Sequence, residues 1–201
     1  MSYGLRPILG GPGGAYNSGG FTEYPIVDGE TDDMFTGSFL VQEASGYVTV
    51  QATSPVVGSP TVTGMTIGVA VGFRYIDANG DIKFSQHYPG GALLTDAYAF
   101  VADNPEQRFV VKSDGATVQA SMGLNAPVVS SSGTAADIGQ GSTATGLSTN
   151  VLDFSAQAAT TGIALRLLSI PHDGTNETSS TPNVIVKINP AVHQLIEPLG
   201  L

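Results

Sequence analysis

Residues 65–90 read "MTIGVAVGFRYIDANGDIKFSQHYPG". The first eleven alternate without a break. Met65, Ile67, Val69, Val71, Phe73 and Tyr75 fall at odd positions, and Thr66, Gly68, Ala70, Gly72 and Arg74 lie between them. A period of two places these sets on opposite faces of a strand. The expectation is one long strand with a large apolar face and a face of small residues. Asp77–Asp81 ("DANGD") follows, and an Asn-Gly pair between two strand-like runs signals a hairpin. The return run places Ile82, Phe84 and Tyr88 on one face and Lys83, Ser85 and His87 on the other, before "YPGG" stops it.

Working outward, further strands are expected at 35–42, 47–53, 97–102, 108–113, 116–122, 150–156, 162–170 and 183–189. Turn signals such as "DNPE", "KSDG" and "PHDGTN" separate them. Val184, Val186 and Ile188 alternate cleanly in the last. No stretch carries the spacing of a long amphipathic helix. Short strands at such intervals indicate an all-β fold, an antiparallel sandwich or a barrel of jelly-roll type. Residues 130–149, "SSSGTAADIGQGSTATGLST", are small and polar, and are expected to form a long surface loop or an extension packed on a neighbour. There is no evident linker or internal repeat. The reading is residues 26–201 as one β domain, with two possible lobes at 26–115 and 116–201, and residues 1–25 as an extended arm.

The arm contains "GGPGGAYNSGG" at 10–20, too rich in glycine for a helix or an internal strand. Leu5, Ile8, Leu9, Tyr16, Phe21 and Tyr24 punctuate the arm, more apolar groups than a merely disordered tail holds. An arm that orders against another protein, or adds to a sheet edge, fits better. A phosphate-binding loop does not. The run has no lysine for a Walker motif, and Tyr16 stands where a dinucleotide fingerprint needs its third glycine.

Composition narrows the function. The chain has 201 residues with a net charge of −10, from 7 basic and 17 acidic side chains. Binding nucleic acid needs clustered Lys and Arg, so neither nucleic acid nor an anionic membrane is an expected partner. Only 12% of residues are charged, about half the usual share. A surface of Ser, Thr, Asn, Gly and Ala suits a protein that lies against other protein. Cysteine is absent, which excludes disulfides and thiol catalysis. No run of about 18 apolar residues predicts a membrane span. The start lacks the pattern of a secretory signal, so secretion by that route is not expected.

Candidate chemistry is thin. Asp77, Asn79 and Asp81 imitate the start of a calcium loop, but Ile82 and Tyr88 stand where Gly and a bidentate Glu belong. His87, His172 and His193 lie far apart, without metal-ligand spacing. Asp32 and Asp33 read as solvated loop charges, and no Gly-x-Ser-x-Gly elbow exists. No catalytic residue, metal or cofactor is expected, and the chain is read as a non-enzyme.

Taken in order, these stretches resemble a family. They are "GLRPILGGPGGAYNSGGFTEYPI" (4–26), "MFTGSFLVQ" (34–42) with "GYVTV" (46–50), "IGVAVGFRYIDANGDIKFSQHYPGG" (67–91) and "AYAFVADNPEQRFVVKSDG" (97–115). The later segments "GSTATGLSTNVLDFS", "ALRLLSI", "VIVKIN" and "HQL" complete the series. Together they resemble the capsid decoration, or cement, proteins of tailed bacteriophages. The resemblance implies a non-enzymatic virion protein, assembled in the host cytoplasm and bound to the outer capsid surface. Its partners would be the major capsid protein and itself, as a homo-oligomer with the trimer favoured. Leu5, Arg6, Pro7, Tyr16, Phe21 and Tyr24 are the expected contacts with capsid or sister protomers. Removing residues 1–24 is expected to leave a folded domain that attaches weakly. The rival readings are a tail or fibre module that binds host glycans and, behind it, a small hydrolase.

Overall fold

The computed structural model describes residues 2–8, 20–55, 65–91, 94–131, 137–160, 162–176 and 179–196. Among them the N-terminal half forms β1 (Arg6–Ile8), β2 (Thr22–Pro25), β3 (Met34–Phe35), β4 (Phe39–Gln42) and β5 (Val48–Val50). Next come β6 (Gly68–Ile76), β7 (Ile82–Ser85), β8 (His87–Tyr88), β9 (Thr95–Ala102) and β10 (Arg108–Lys112). The C-terminal half adds β11 (Asn125–Ala126), β12 (Val128–Ser130), β13 (Gly141–Ser142), β14 (Leu147–Ser148), β15 (Asn150–Leu152), β16 (Leu165–Ser169) and β17 (Asn183–Ile188). Every ladder between these strands is antiparallel.

Two sheets dominate. The first has the order β1-β10-β17-β16-β11. The second has the order β2-β9-β6-β4-β5, with β7 also on β6. The protein is an all-β antiparallel sandwich. The first sheet draws strands from both sides of residue 115, whereas the second is built wholly from strands within residues 22–102.

The core between the sheets follows from alternation. Phe109 and Val111 of β10 stand opposite Val186 and Val184 of β17, and all four are fully buried. Leu165 and Leu167 of β16 join them from one side, and Phe39, Val69 and Ala102 of the second sheet from the other. Burying side chains of this size contributes roughly 1.5–3 kcal/mol each. A second core lies on the far face of the second sheet. It gathers Ala70, Phe73, Tyr75, Ala99 and Val101 under Ile26, Met34, Tyr88 and Leu94 from the flanking segments. Tyr75 and Tyr88 meet edge to face there, with ring centroids 5.6 Å apart.

The long strand exists, but its single apolar face does not. Between Ala70 and Gly72 the register against β9 slips: Ala70 opposes Val101, Gly72 opposes Phe100, and Val71 is the extra residue. This β-bulge reverses the phase of everything after it. Val69 therefore faces the first sheet, while Phe73 and Tyr75 face the second core. A second slip lies on β9, where Asp96 sits at φ 47 and Arg74 pairs with Tyr98 while Ile76 pairs with Thr95.

The hairpin forms as expected, with a longer turn. Asp77 N–H donates to the Asp81 carbonyl, which leaves a three-residue loop closed by Gly80 at φ +86. That is the type I turn with a glycine bulge favoured by loops of three. The Asp77 carboxylate accepts from the N–H groups of Asn79 and Asp81, and the Lys83 ammonium lies 3.3 Å from Asp77 and 3.4 Å from Asp81. Those backbone bonds, chiefly the one from Asp81, hold the Asp77 carboxyl below its usual range. The residues that imitate a calcium loop here cap a turn.

The strand expected over 116–122 is replaced by a 3-10 turn at Gln119–Ser121. Val118 is 54% exposed, and Ser121 and Met122 donate back to Val118 and Gln119. Alternation without a neighbouring edge makes no ladder. The polar segment after β12 is tied down where it is described. Ile138 is fully buried in the sandwich core, and β13 and β14 form a small hairpin. Phe35 lies over Gly141 and stacks on His87, with centroids 4.6 Å apart and planes 9° apart.

Candidate protein-docking surfaces

The first candidate surface is the N-terminal segment. Its two described ends are strands of the two sheets. β1 lies outside β10 in the first sheet, and β2 lies outside β9 in the second. The two described ends thus extend the edges beside two consecutive strands, β9 and β10. The segment adds to the sheet edges of its own chain.

That placement sorts the residues expected to contact another protein. Leu5 is fully buried in the sandwich core, and its N–H donates to the Gly37 carbonyl at 3.0 Å. Its apolar surface is satisfied within the chain. Tyr24 is half-buried in β2, and its hydroxyl donates to the Asp103 carboxylate at 2.9 Å. Burial first, then the bond to Asp103 and its charge, push the phenol pKa far above its usual value. Pro7 stands opposite Phe109 in β1, and Pro25 opposite Tyr98 in β2. A proline on each outer strand removes an N–H from each edge, which discourages further strand addition. Arg6 and Phe21 are the groups presented outward. Arg6 holds its guanidinium 4.3 Å from the Tyr3 ring centroid, and Phe21 is 45% exposed. Tyr16 and the glycine run through residue 19 lie outside the described residues.

The second surface was not anticipated. Along β9, Ala102, Phe100 and Tyr98 alternate onto one face, and Ala102 belongs to the core between the sheets. Phe100 and Tyr98 belong to neither core. Across the ladder, Phe100 pairs with Gly72, Tyr98 with Arg74, and Arg74 with Phe84 of β7. Ile76 pairs with Ile82. The face that covers the first sheet near Val69 thus continues past it as an open shelf. On the shelf Ile82 is 59% exposed and Phe84 73% exposed. Phe100 lies against Gly72, whose missing side chain leaves it room.

One pair of charges on this shelf is held locally. Arg74 lies 3.2 Å from Asp96, and its guanidinium sits 4.7 Å from the Tyr98 ring centroid. Exposed pairs of this kind contribute only about 0–1 kcal/mol. Glu23 of β2, opposite Phe100, adds an exposed carboxylate at the margin of this face. The alternation of the return strand does mark Ile82 and Phe84 as one apolar face. What it does not show is that Ile82 and Phe84 stand exposed on it.

The other candidate groups are apart. His87 is half-buried, with Nε2 3.6 Å from the Asp33 carboxylate. His172 is exposed near the 173–175 turn, and His193 is fully buried. Asp33 accepts from the Gly90 N–H at 3.0 Å, and the Glu30 carboxylate accepts from the Thr31 and Asp32 N–H groups. No group of three or more His, Cys, Asp or Glu among the described residues is arranged to hold a metal ion. No protein-family model, curated protein or solved structure matches the chain.

Proposed function

We propose that the protein is a non-enzymatic virion protein that binds the outer surface of a phage capsid and cements neighbouring subunits of the major capsid protein. It acts as a homo-oligomer, with the trimer favoured. The observation that carries this reading is the apolar shelf of Ile82, Phe84, Tyr98 and Phe100, with Ile82 59% and Phe84 73% exposed. Contiguous exposed apolar surface marks contact with another protein. The segments that resemble decoration proteins also build the framework around it. "LRP" opens β1, "YPI" closes β2, and the block ending in "YPGG" is the hairpin that carries the shelf.

Two further features support the reading. The chain carries a net charge of −10, which suits an outer surface and repels packaged DNA. Only 12% of its residues are charged, so broad close contact desolvates few ions. Repetition over many equivalent positions on a shell then supplies avidity to individually modest contacts.

Co-sedimentation with shells of the phage that encodes the chain tests the proposal. The wild-type protein pellets with the shells, and Phe84→Asp stays in the supernatant. Wild-type protein that remains in the supernatant, and binds instead on a glycan array, would replace this reading with the tail or fibre module.

A further inference from the structure

After β17 the chain makes one 3-10 turn at Pro190–Val192 and runs on through His193–Ile196. Val192 is fully buried in the sandwich core, and its carbonyl accepts from the Thr66 N–H at 2.8 Å. It anchors the segment. Beyond it the attachment is narrow. Gln194 N–H donates to the Thr66 carbonyl at 2.9 Å. The Gln194 side chain closes a reciprocal pair with the Gln42 backbone: Nε2 donates to the Gln42 carbonyl and Oε1 accepts from the Gln42 N–H, each at 2.9 Å. Leu195 and Ile196 lie largely exposed. The one side chain this run buries completely is His193.

The His193 imidazole is held in its neutral form by geometry. Nδ1 accepts from the Leu195 N–H at 3.3 Å, so the proton resides on Nε2, which makes no hydrogen bond of normal length to the described residues. Protonation would turn Nδ1 into a donor aimed at another donor, inside a site closed to water. The charged groups around it oppose one another. The Asp103 carboxylate, which also accepts from Tyr24 of β2, favours the charged ring, and Lys187 of β17, paired with Glu106, disfavours it. Burial, seconded by Lys187, outweighs Asp103 and holds the pKa below the ordinary value.

From this arrangement we infer that residues 193–196 form a proton-released latch. At neutral pH the uncharged His193 seals the segment against Thr66 and Gln42. Acidification charges the ring and frees the run, while Val192 stays docked as the hinge. The sign follows from linkage. The opened state takes up a proton more readily than the closed one, so closure is fully favoured above about pH 6.5 and weakens as pH falls below it.

Amide hydrogen exchange followed by NMR at pH 7.5 and 5.0, corrected for intrinsic rates, tests the latch. A ring with an exposed pKa of about 6.5 populates the opened form up to about 30-fold more at pH 5.0 than when neutral. Protection of the Gln194 and Gln42 amides is therefore expected to fall by up to that factor. The Thr66 amide, bonded to Val192, and the Val101 amide of β9 are expected to hold. His193→Gln, neutral at both pH values, abolishes the difference. Unchanged protection in the wild type, parallel loss at Thr66 and Val101, or persistence of the loss in His193→Gln would each overturn the inference. Should that variant fail to fold, the NMR titration of His193 in the wild type decides: a midpoint below 6.5 supports the latch, and one at or above 6.5 refutes it.

Discussion

Gly4 and Gly37 meet backbone to backbone, with no room for a side chain on either. A Cβ on Gly4 would fall 2.6 Å from the Gly37 carbonyl oxygen, and one on Gly37 would fall 2.8 Å from the Tyr3 carbonyl oxygen. Both residues have positive φ, +67° and +90°. This crossing delivers Leu5 into the core. Gly37→Ala is expected to destabilise the fold by about 2 kcal/mol or more, from left-handed strain plus the clash. The check is a lower urea midpoint with an unchanged slope. An unaltered midpoint would mean that the crossing is not a fixed part of the fold.

Leu5→Ala removes a fully buried side chain, and its expected cost is about 2–5 kcal/mol in a thermal or chemical melt. Deleting residues 1–24 goes further, since it strips β1 and most of β2 from the edges of both sheets. The arm reading anticipates an intact domain after that deletion. The structure predicts a large loss of thermal stability instead, and a truncated chain that melts like the full one would contradict it.

Substitutions on the shelf should separate binding from folding. Ile82→Ser and Phe84→Asp change exposed positions, so stability is expected to stay within about 0.5 kcal/mol. If Phe84 is an anchor of the interface, its loss costs about 2 kcal/mol or more of attachment, roughly 30-fold in affinity. Denaturation and shell binding measured on the same preparations check both halves. Weaker binding that merely tracks lost stability would deny the shelf its role.

Tyr88 gives a pH prediction. It is fully buried, its hydroxyl has no hydrogen-bond partner among the described residues, and burial, aided by Glu30 and Asp28, pushes its pKa up to about 12. An unfolded tyrosine loses its proton near pH 10, about where the folded one still holds it. Stability is therefore complete below about pH 10 and falls as pH rises towards 12. Tyr88→Phe is expected to keep neutral-pH stability or raise it slightly, because an unpartnered buried hydroxyl contributes nothing there. It should also soften the alkaline loss, with Tyr3 and Tyr24, both raised as well, supplying the remainder. Denaturation curves at pH 8 and 11 check it. An alkaline limb unchanged in Tyr88→Phe would contradict the assignment.

The β6–β7 hairpin was legible because two signals agree there, strict alternation and an Asn-Gly turn. The bulge at Val71 was not, because an extra residue in one strand leaves that strand's own alternation intact and shows only against its partner. The same limit hid the shelf. Period two assigns Ile82 and Phe84 to a face and says nothing of what covers it. Leu5 reads in the sequence as a contact with another protein because the strand beside it, Arg6–Ile8, is too short to display a period, and the structure shows it buried in the core of its own chain. The burial of His193 carries no local signal, since its neighbours, Thr66 across a bridge and Asp103, are distant in sequence.

Cryo-electron microscopy of the purified virion tests the central claim most directly. The account predicts density of this sandwich on the outside of the shell, repeated at equivalent symmetry positions, with the Phe84 shelf turned to the capsid subunit or to a sister protomer. A virion that carries the chain only at its tail, or lacks it altogether, would contradict the account.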